Sequence, residues 1–327
     1  MKSLLVVLIA YLLLSCSPIQ RIENPFEASS RSPVSATSEG VENEDKPQLK
    51  IIVIDVGQGD ASLIIGPSGR TILIDGGPVD SGVRKVLPLL NDLGITHLDW
   101  IVATHYDADH IGGLGEIIKG NDQVMGTDDD LVPSFGVLDR GENTDKNTLT
   151  YQNYIDLTSD YRHEAEPGTQ IELGNGAQAE VIVVNGQYND GQSIPLEPDD
   201  ENEASIGILI HYEKFRYFTA GDLTGGGPSG SRATKDVESG VGKIIGDIDI
   251  LHVGHHGSLT STNSSFLDQV MPEEALISVG KDNDYGHPRD EIIDRLEAVG
   301  AQIYRTDQIG SIEIQSDGNG FQTSPVY

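Results

Sequence analysis

Cysteine is all but missing from this chain. The single thiol, Cys16, leaves no intrachain disulfide framework to report on redox compartment. Basic residues are scarce as well: 21 Lys and Arg stand against 52 Asp and Glu, a net charge of −31. Residues 1–48 carry four basic and six acidic side chains, so 29 of the excess negative charges lie beyond them. A surface of that sign repels polyanions and excludes tight binding of duplex nucleic acid. Aromatic residues make up only 6% and hydrophobic residues 37%, low but enough for a core. A length of 327 residues allows one large domain or two modest ones. The apolar run over residues 4–14 is too short to span a bilayer comfortably.

That run has another use. Lys2 precedes it, and Leu13-Leu14-Ser15-Cys16 closes it in the manner of an export signal. The tetrapeptide resembles a bacterial lipobox, in which the cysteine is acylated and becomes the new N-terminus. The expectation is an exported bacterial lipoprotein, held to a membrane through Cys16 on the periplasmic or cell-surface side. Residues 1–16 are then the signal peptide. Residues 17–48, rich in Ser, Pro, Glu and Asn without apolar period, are a disordered tether. Residues 49–327 form the folded domain.

The stretch that organises that domain is Thr104-His105-Tyr106-Asp107-Ala108-Asp109-His110-Ile111-Gly112-Gly113. Two imidazoles and two carboxylates in six residues follow directly on the apolar run Trp100-Ile101-Val102-Ala103. Side chains two apart on extended backbone point the same way, so His105, Asp107 and Asp109 converge, with His110 beside them. Neutral imidazole and carboxylate suit a borderline or hard divalent cation. Gly112 and Gly113 let the backbone pass close to such a site before a helix over residues 114–118.

Further strands are expected at residues 50–54, 61–65, 71–74, 99–103, 179–184, 205–212, 215–219, 248–253, 275–279, 302–305 and 311–315. Helices are expected at 82–93, 237–245 and 289–299, with Pro288 in the first turn of the last and Gly300 as its cap. Residues 120–168 read as a long polar excursion, and Asp128-Asp129-Asp130 within it as a solvated loop. Polar residues recur at strand ends: Asp75, Asp222, His255-His256 and His287. Two sheets packed face to face with helices outside, an α+β fold, place those ends along one edge.

Together His105-x-Asp107-x-Asp109-His110-x-Gly-Gly, Gly221-Asp222 and His255-His256-Gly257-Ser258 resemble the metallo-β-lactamase superfamily. Asp55-Val56-Gly57-Gln58-Gly59-Asp60-Ala61, Leu73-Ile74-Asp75-Gly76-Gly77, Asn202-x-x-Ser205 and Tyr285-Gly286-His287-Pro288 are similar to its competence-protein (ComEC) type. The resemblance implies an αββα sandwich with a dinuclear centre of Zn2+ or Mn2+. It places His105 and Asp107 on the first metal, Asp109 and His110 on the second, Asp222 between them, and His255 completing the second. It implies catalytic roles for Asp109, orienting a metal-bound hydroxide, and for His256 and His287, which face the developing charge or the leaving oxygen. Asp75 and Asp55 are expected to fix histidine tautomers. The motif preceding the bridging aspartate has no clear histidine: His211 lies mid-strand, and Asn202 or Ser205 sits there instead. His97, His163 and His252 read as structural or exposed. The expected function is a metal-dependent phosphodiesterase or nuclease-like hydrolase acting on a small or polymeric phosphodiester. The alternatives are a carbonyl hydrolase of β-lactam, lactone or thioester, or a surface binding lipoprotein with a degenerate site.

Overall fold

The computed structural model describes residues 46–142, 146–197, 200–227 and 233–326. The expected signal segment, Cys16 and the expected tether as far as residue 45 lie outside the described residues.

Two mixed eight-stranded sheets carry the fold. In the first, β1 (Leu49–Val53), β2 (Ser62–Ile65) and β3 (Thr71–Ile74) are antiparallel neighbours. β4 (Trp100–Val102), β5 (Gly136–Asp139) and β6 (Arg162–Glu164) then extend it in parallel. The second repeats this change of sense. β7 (Gln170–Gly174), β8 (Ala177–Val184), β10 (Gly207–Tyr212) and β11 (Phe215–Thr219) run antiparallel, with the short β9 (Gln187–Tyr188) on β8. β12 (Ile250–His252), β13 (Glu274–Ile277) and β14 (Gln302–Arg305) follow in parallel. β15 (Ile312–Ser316) returns to the first sheet beside β1 and pairs with β16 (Phe321–Pro325) in a hairpin closed by Asp317-Gly318-Asn319-Gly320.

Unbroken apolar strands such as Ile51-Ile52-Val53-Ile54 follow from burial on both faces. Ile51 and Val53 enter the layer between the sheets with Ile208, Ile210 and Tyr217 of the second sheet. Ile52 and Ile54 face outward onto helices at Val86–Leu90 and Leu114–Ile118. The far face of the second sheet packs Phe218 and Leu251 against Val241, Phe266 and Leu296, which belong to the helices Glu238–Ile245, Ser264–Val270 and Asp290–Ala298. The result is the αββα metallo-β-lactamase sandwich, with helix, sheet, sheet and helix in four layers.

Two readings of the sequence need correction. Residues 120–168 are not one polar excursion, since they contain β5, the helix Leu149–Thr158 and β6. Their signal is weak because β6 is polar and the helix buries Tyr151, Tyr154 and Thr158 rather than an aliphatic stripe. Pro288 stands before the helix rather than in its first turn, because Arg289 is the N-cap. The acidic triplet is a loop: Asp129 accepts Asp122 N and Asp130 accepts Gly126 N.

Leu73, fully buried in β3 between the outer helices and the sheet, tests the layering. Leu73→Ala is expected to lower unfolding free energy by about 2–5 kcal/mol in urea titrations. A loss within experimental error would contradict a packed outer layer.

Candidate metal centre

The parallel strands of both sheets release their chain ends toward one edge, where open α/β sheets commonly place ligands. Asp75, just past β3, holds a left-handed backbone (φ 57°). Its Oδ1 accepts Thr104 N at 2.8 Å, and its Oδ2 accepts Thr104 Oγ1 at 2.7 Å and His110 Nδ1 at 2.9 Å. One buried carboxylate thus ties the end of β4 to the ligand loop and fixes the His110 tautomer. His105 Nδ1 lies 3.1 Å from the same threonine hydroxyl.

The loop itself is not extended throughout. Asp107 is its last extended residue, and its carbonyl accepts His110 N and Ile111 N, both at 3.0 Å, closing the helical turn Ala108–Ile111. Asp109 and His110 therefore leave from a helix, and convergence comes from that turn rather than from strand alternation. A Cβ on Gly113 would sit 2.2 Å from Gly76 O, so only glycine lets the turn close on the Asp75 loop.

The second half of the chain supplies the rest. Gly221-Asp222 follows β11, with Gly221 at φ 49° and pressed on Thr104. Beyond β12, His255 (φ 51°, ψ 41°) and His256 (φ 52°, ψ 23°) are successive left-handed residues. Such a backbone costs about 1–2 kcal/mol per residue. His256 Nδ1 donates to Ser278 O at 2.9 Å, leaving the Nε2 lone pair to face inward. His255 Nδ1 lies 2.8 Å from Thr260 Oγ1.

All of these imidazoles meet at Asp222. Its Oδ1 lies 3.1 Å from His110 Nε2 and 3.7 Å from His256 Nε2. Its Oδ2 lies 3.4 Å from His255 Nε2 and 3.9 Å from His105 Nε2. Asp109 Oδ2 is 3.4 Å from His256 Nε2, and Asp107 Oδ2 is 3.8 Å from His105 Nε2. Nε2 of His105, His110 and His256 and Oδ1 of Asp222 are buried without a well-formed hydrogen bond. Buried polar atoms left in this state, on rings whose other nitrogen is held from behind, are the arrangement of metal ligands. Among the described residues four groups of three donors lie close enough together to hold an ion: His105, His110 and Asp222; Asp109, His110 and His256; Asp60, Asp75 and His110; and Asp60, Asp222 and His256.

Every expected ligand (His105, Asp107, Asp109, His110, Asp222 and His255) reaches this locus. His256, expected in a catalytic role, stands with Asp109 and His110, the place the sequence assigned to His255. His287 is adjacent, its ring 5.7 Å from that of His255 and 6.5 Å from that of His256. Burial, and then His255 and His256, push its pKa down to about 4, so at neutral pH it donates a hydrogen bond but not a proton. Asp55 is elsewhere: it accepts Gly57 N within its own turn and pairs with Lys85. Asp60 takes the supporting position instead, 3.7 Å from His256 Nδ1 and 3.6 Å from the buried His252. Sequence reasoning overlooked this pair, although Asp60 closes the Gly57-Gln58-Gly59-Asp60 motif. It also overlooked Lys146, whose Nζ lies 2.5 Å from Asp107 Oδ1 and 3.5 Å from Glu201. Asn202 and Ser205 sit in the turn beside His255 and extend no imidazole.

Protons hold the metal-free centre together. Burial disfavours the imidazolium of His110, but Asp222 and Asp75 outweigh it and hold its pKa well above the usual range. His256 is likewise raised to about 9, by Asp222, Asp60 and Asp109 against burial. Asp109 falls to about 2 despite burial, through His256 and His110. His105, buried and beside His110, is pushed down.

Residues 54–176 match the metallo-beta-lactamase superfamily. The chain is 28% identical over 296 residues to ComE operon protein 3 of Bacillus subtilis (strain 168), covering 85% of this chain and 34% of that protein. It is 29% identical over 268 residues to Competence protein ComA of Neisseria gonorrhoeae, covering 81% and 32%. It therefore spans about a third of the length of the curated relatives it matches. Among solved structures it is similar to a new diphosphatase from the PhnP family, at 16% identity and TM-score 0.42, over 78% of this chain and 94% of that one. The metallo-beta-lactamase match thus holds the ligand loop at residues 105–110, and most of the chain is similar to these competence-protein relatives.

The proton network gives a pH signature. A folded-state pKa raised from 6.5 to about 9 means that His256 stabilises the metal-free fold fully below pH 6.5, and that this contribution disappears as pH climbs through 9. In chelator-treated protein, urea midpoints should fall between pH 6.5 and 9, and His256→Gln should flatten that fall. An unchanged slope in the variant would count against the proton at His256.

Proposed function

We propose that this domain is a two-metal phosphodiester hydrolase. The observation that carries the reading is Asp222: a buried carboxylate whose two oxygens face different imidazoles, suited to bridge two cations. Asp109, His110, His256 and Asp222 Oδ1 would hold one ion. His105, Asp107 Oδ2 and Asp222 Oδ2 would face the other. Zn2+ and Mn2+ both suit such a mixed imidazole and carboxylate set. When bound, such a pair supplies Lewis acidity and an activated water at neutral pH.

The chain's own groups do the remaining work. Asp109 stays ionised and accepts a hydrogen bond from the attacking water, aiming it across the site. Neutral His287 donates to an oxygen on which charge builds, a role for a fixed donor. The Lys146 ammonium, set between Asp107 and Glu201, places positive charge at the rim. Carbonyl hydrolysis would favour an apolar pocket. Lys146 and His287 stand beside the ligands instead, donors that fit phosphoryl oxygens. A binding lipoprotein without turnover is disfavoured by the donors that converge on Asp222. Export and a lipid anchor at Cys16 would direct this activity to small or polymeric phosphodiesters outside the cytoplasm. The acidic surface disfavours tight duplex binding.

Purified protein loaded with Mn2+ or Zn2+ is expected to hydrolyse bis-p-nitrophenyl phosphate. Asp109→Ala should lower kcat/KM by about 10²–10³-fold. Diesterase activity that survives Asp109→Ala would contradict the mechanism, and turnover of nitrocefin alone would place the chain among the carbonyl hydrolases.

A further inference from the structure

The first ion meets few protein donors. His105 offers Nε2, Asp222 offers Oδ2, and Asp107 offers only Oδ2, because Lys146 holds its Oδ1 at 2.5 Å. Three protein donors and a water are enough for an open catalytic ion, so a fourth protein donor here has to be argued from position. The turn Asn202–Ala204 and Ser205, where a further imidazole was sought, presents none.

We infer that His255 is the fourth protein ligand of the first ion, so that the adjacent His255 and His256 serve different metals; the assignment rests on the two-ion reading above. His255 Nε2 lies 3.4 Å from Asp222 Oδ2, the oxygen that His105 also faces, whereas His256 Nε2 stands by Asp222 Oδ1 and Asp109. The ring is held from behind. Its Nδ1 lies 2.8 Å from Thr260 Oγ1, which is 3.1 Å from Ser258 Oγ, and its backbone N donates to Gly221 O at 3.1 Å. Asn202 Nδ2, 3.5 Å from the same Nδ1, stands behind the ring rather than in front of it. Neighbouring residues on a strand point to opposite faces. The two left-handed residues remove that alternation and aim both imidazoles at one carboxylate, which gives the strained turn a purpose.

The test is metal stoichiometry and affinity, measured on the full chain in detergent after chelator stripping. Mn2+ would be titrated by calorimetry, with bound metal counted by mass spectrometry and folding checked by circular dichroism. Wild type is expected to take two ions. His255→Ala should take one, at the affinity of the tighter wild-type site, while His256→Ala loses that tighter ion. Thr260→Val, which leaves the His255 backbone untouched, should weaken one site by about 10-fold and spare the other. Two ions bound at wild-type affinity by His255→Ala would overturn the assignment while leaving the two-ion reading intact. A wild-type chain that takes only one ion would overturn that reading and the assignment with it. Should His255→Ala fail to fold, Thr260→Val decides alone: selective weakening supports the assignment, and two unchanged affinities overturn it.

Discussion

Asp222 is a buried carboxylate surrounded by imidazoles, and among the described residues no ammonium or guanidinium lies within ion-pair distance of it. Removing such a charge from water costs several kcal/mol unless opposite charge replaces the lost hydration. In the metal-free chain the imidazoles of His255, His110 and His256 provide it, which holds the pKa of Asp222 well below the carboxylate range against burial, while those of His110 and His256 rise. A divalent cation does the same job with more charge. Metal binding and proton release are therefore coupled at this centre.

The rest of the architecture serves to bring segments far apart in sequence to that carboxylate. Each sheet turns from antiparallel to parallel before its site-bearing strands, so β3, β4, β11 and β12 end on the same edge. The two halves are joined there directly: Ile206 N donates to Thr104 O, and Ser278 Oγ donates to Gly59 O at 2.9 Å. Asp75 and Asp60 stand behind the histidines, and Asp75 also pins the strand end through Thr104. The Asp75 contacts are short and buried, so the His105–His110 loop is held in place before any ion arrives.

Much of this was legible in the sequence because its signals are of the strong kinds. Apolar runs such as Ile51–Ile54 announce strands covered on both faces, and His105-x-Asp107-x-Asp109-His110 announces a ligand loop. What escaped notice depends on three-dimensional detail. The directions in which His255 and His256 point are set by two left-handed backbone angles that no periodicity encodes. Asp55 and Asp60 occupy one glycine-rich motif, and only the turn geometry decides which carboxylate reaches a histidine. Lys146 is distant in sequence from Asp107 and carries no motif of its own. The strand β6 and the tyrosine-faced helix Leu149–Thr158 were hidden by polar side chains, since neighbours override local preference there.

The central claim is that Asp222 bridges two cations. Anomalous diffraction from crystals of the metal-loaded chain measures this most directly. The account predicts two peaks, one beside each oxygen of Asp222, with His110 and His256 on one and His105 on the other. A fully loaded crystal with its peaks away from Asp222 would contradict it.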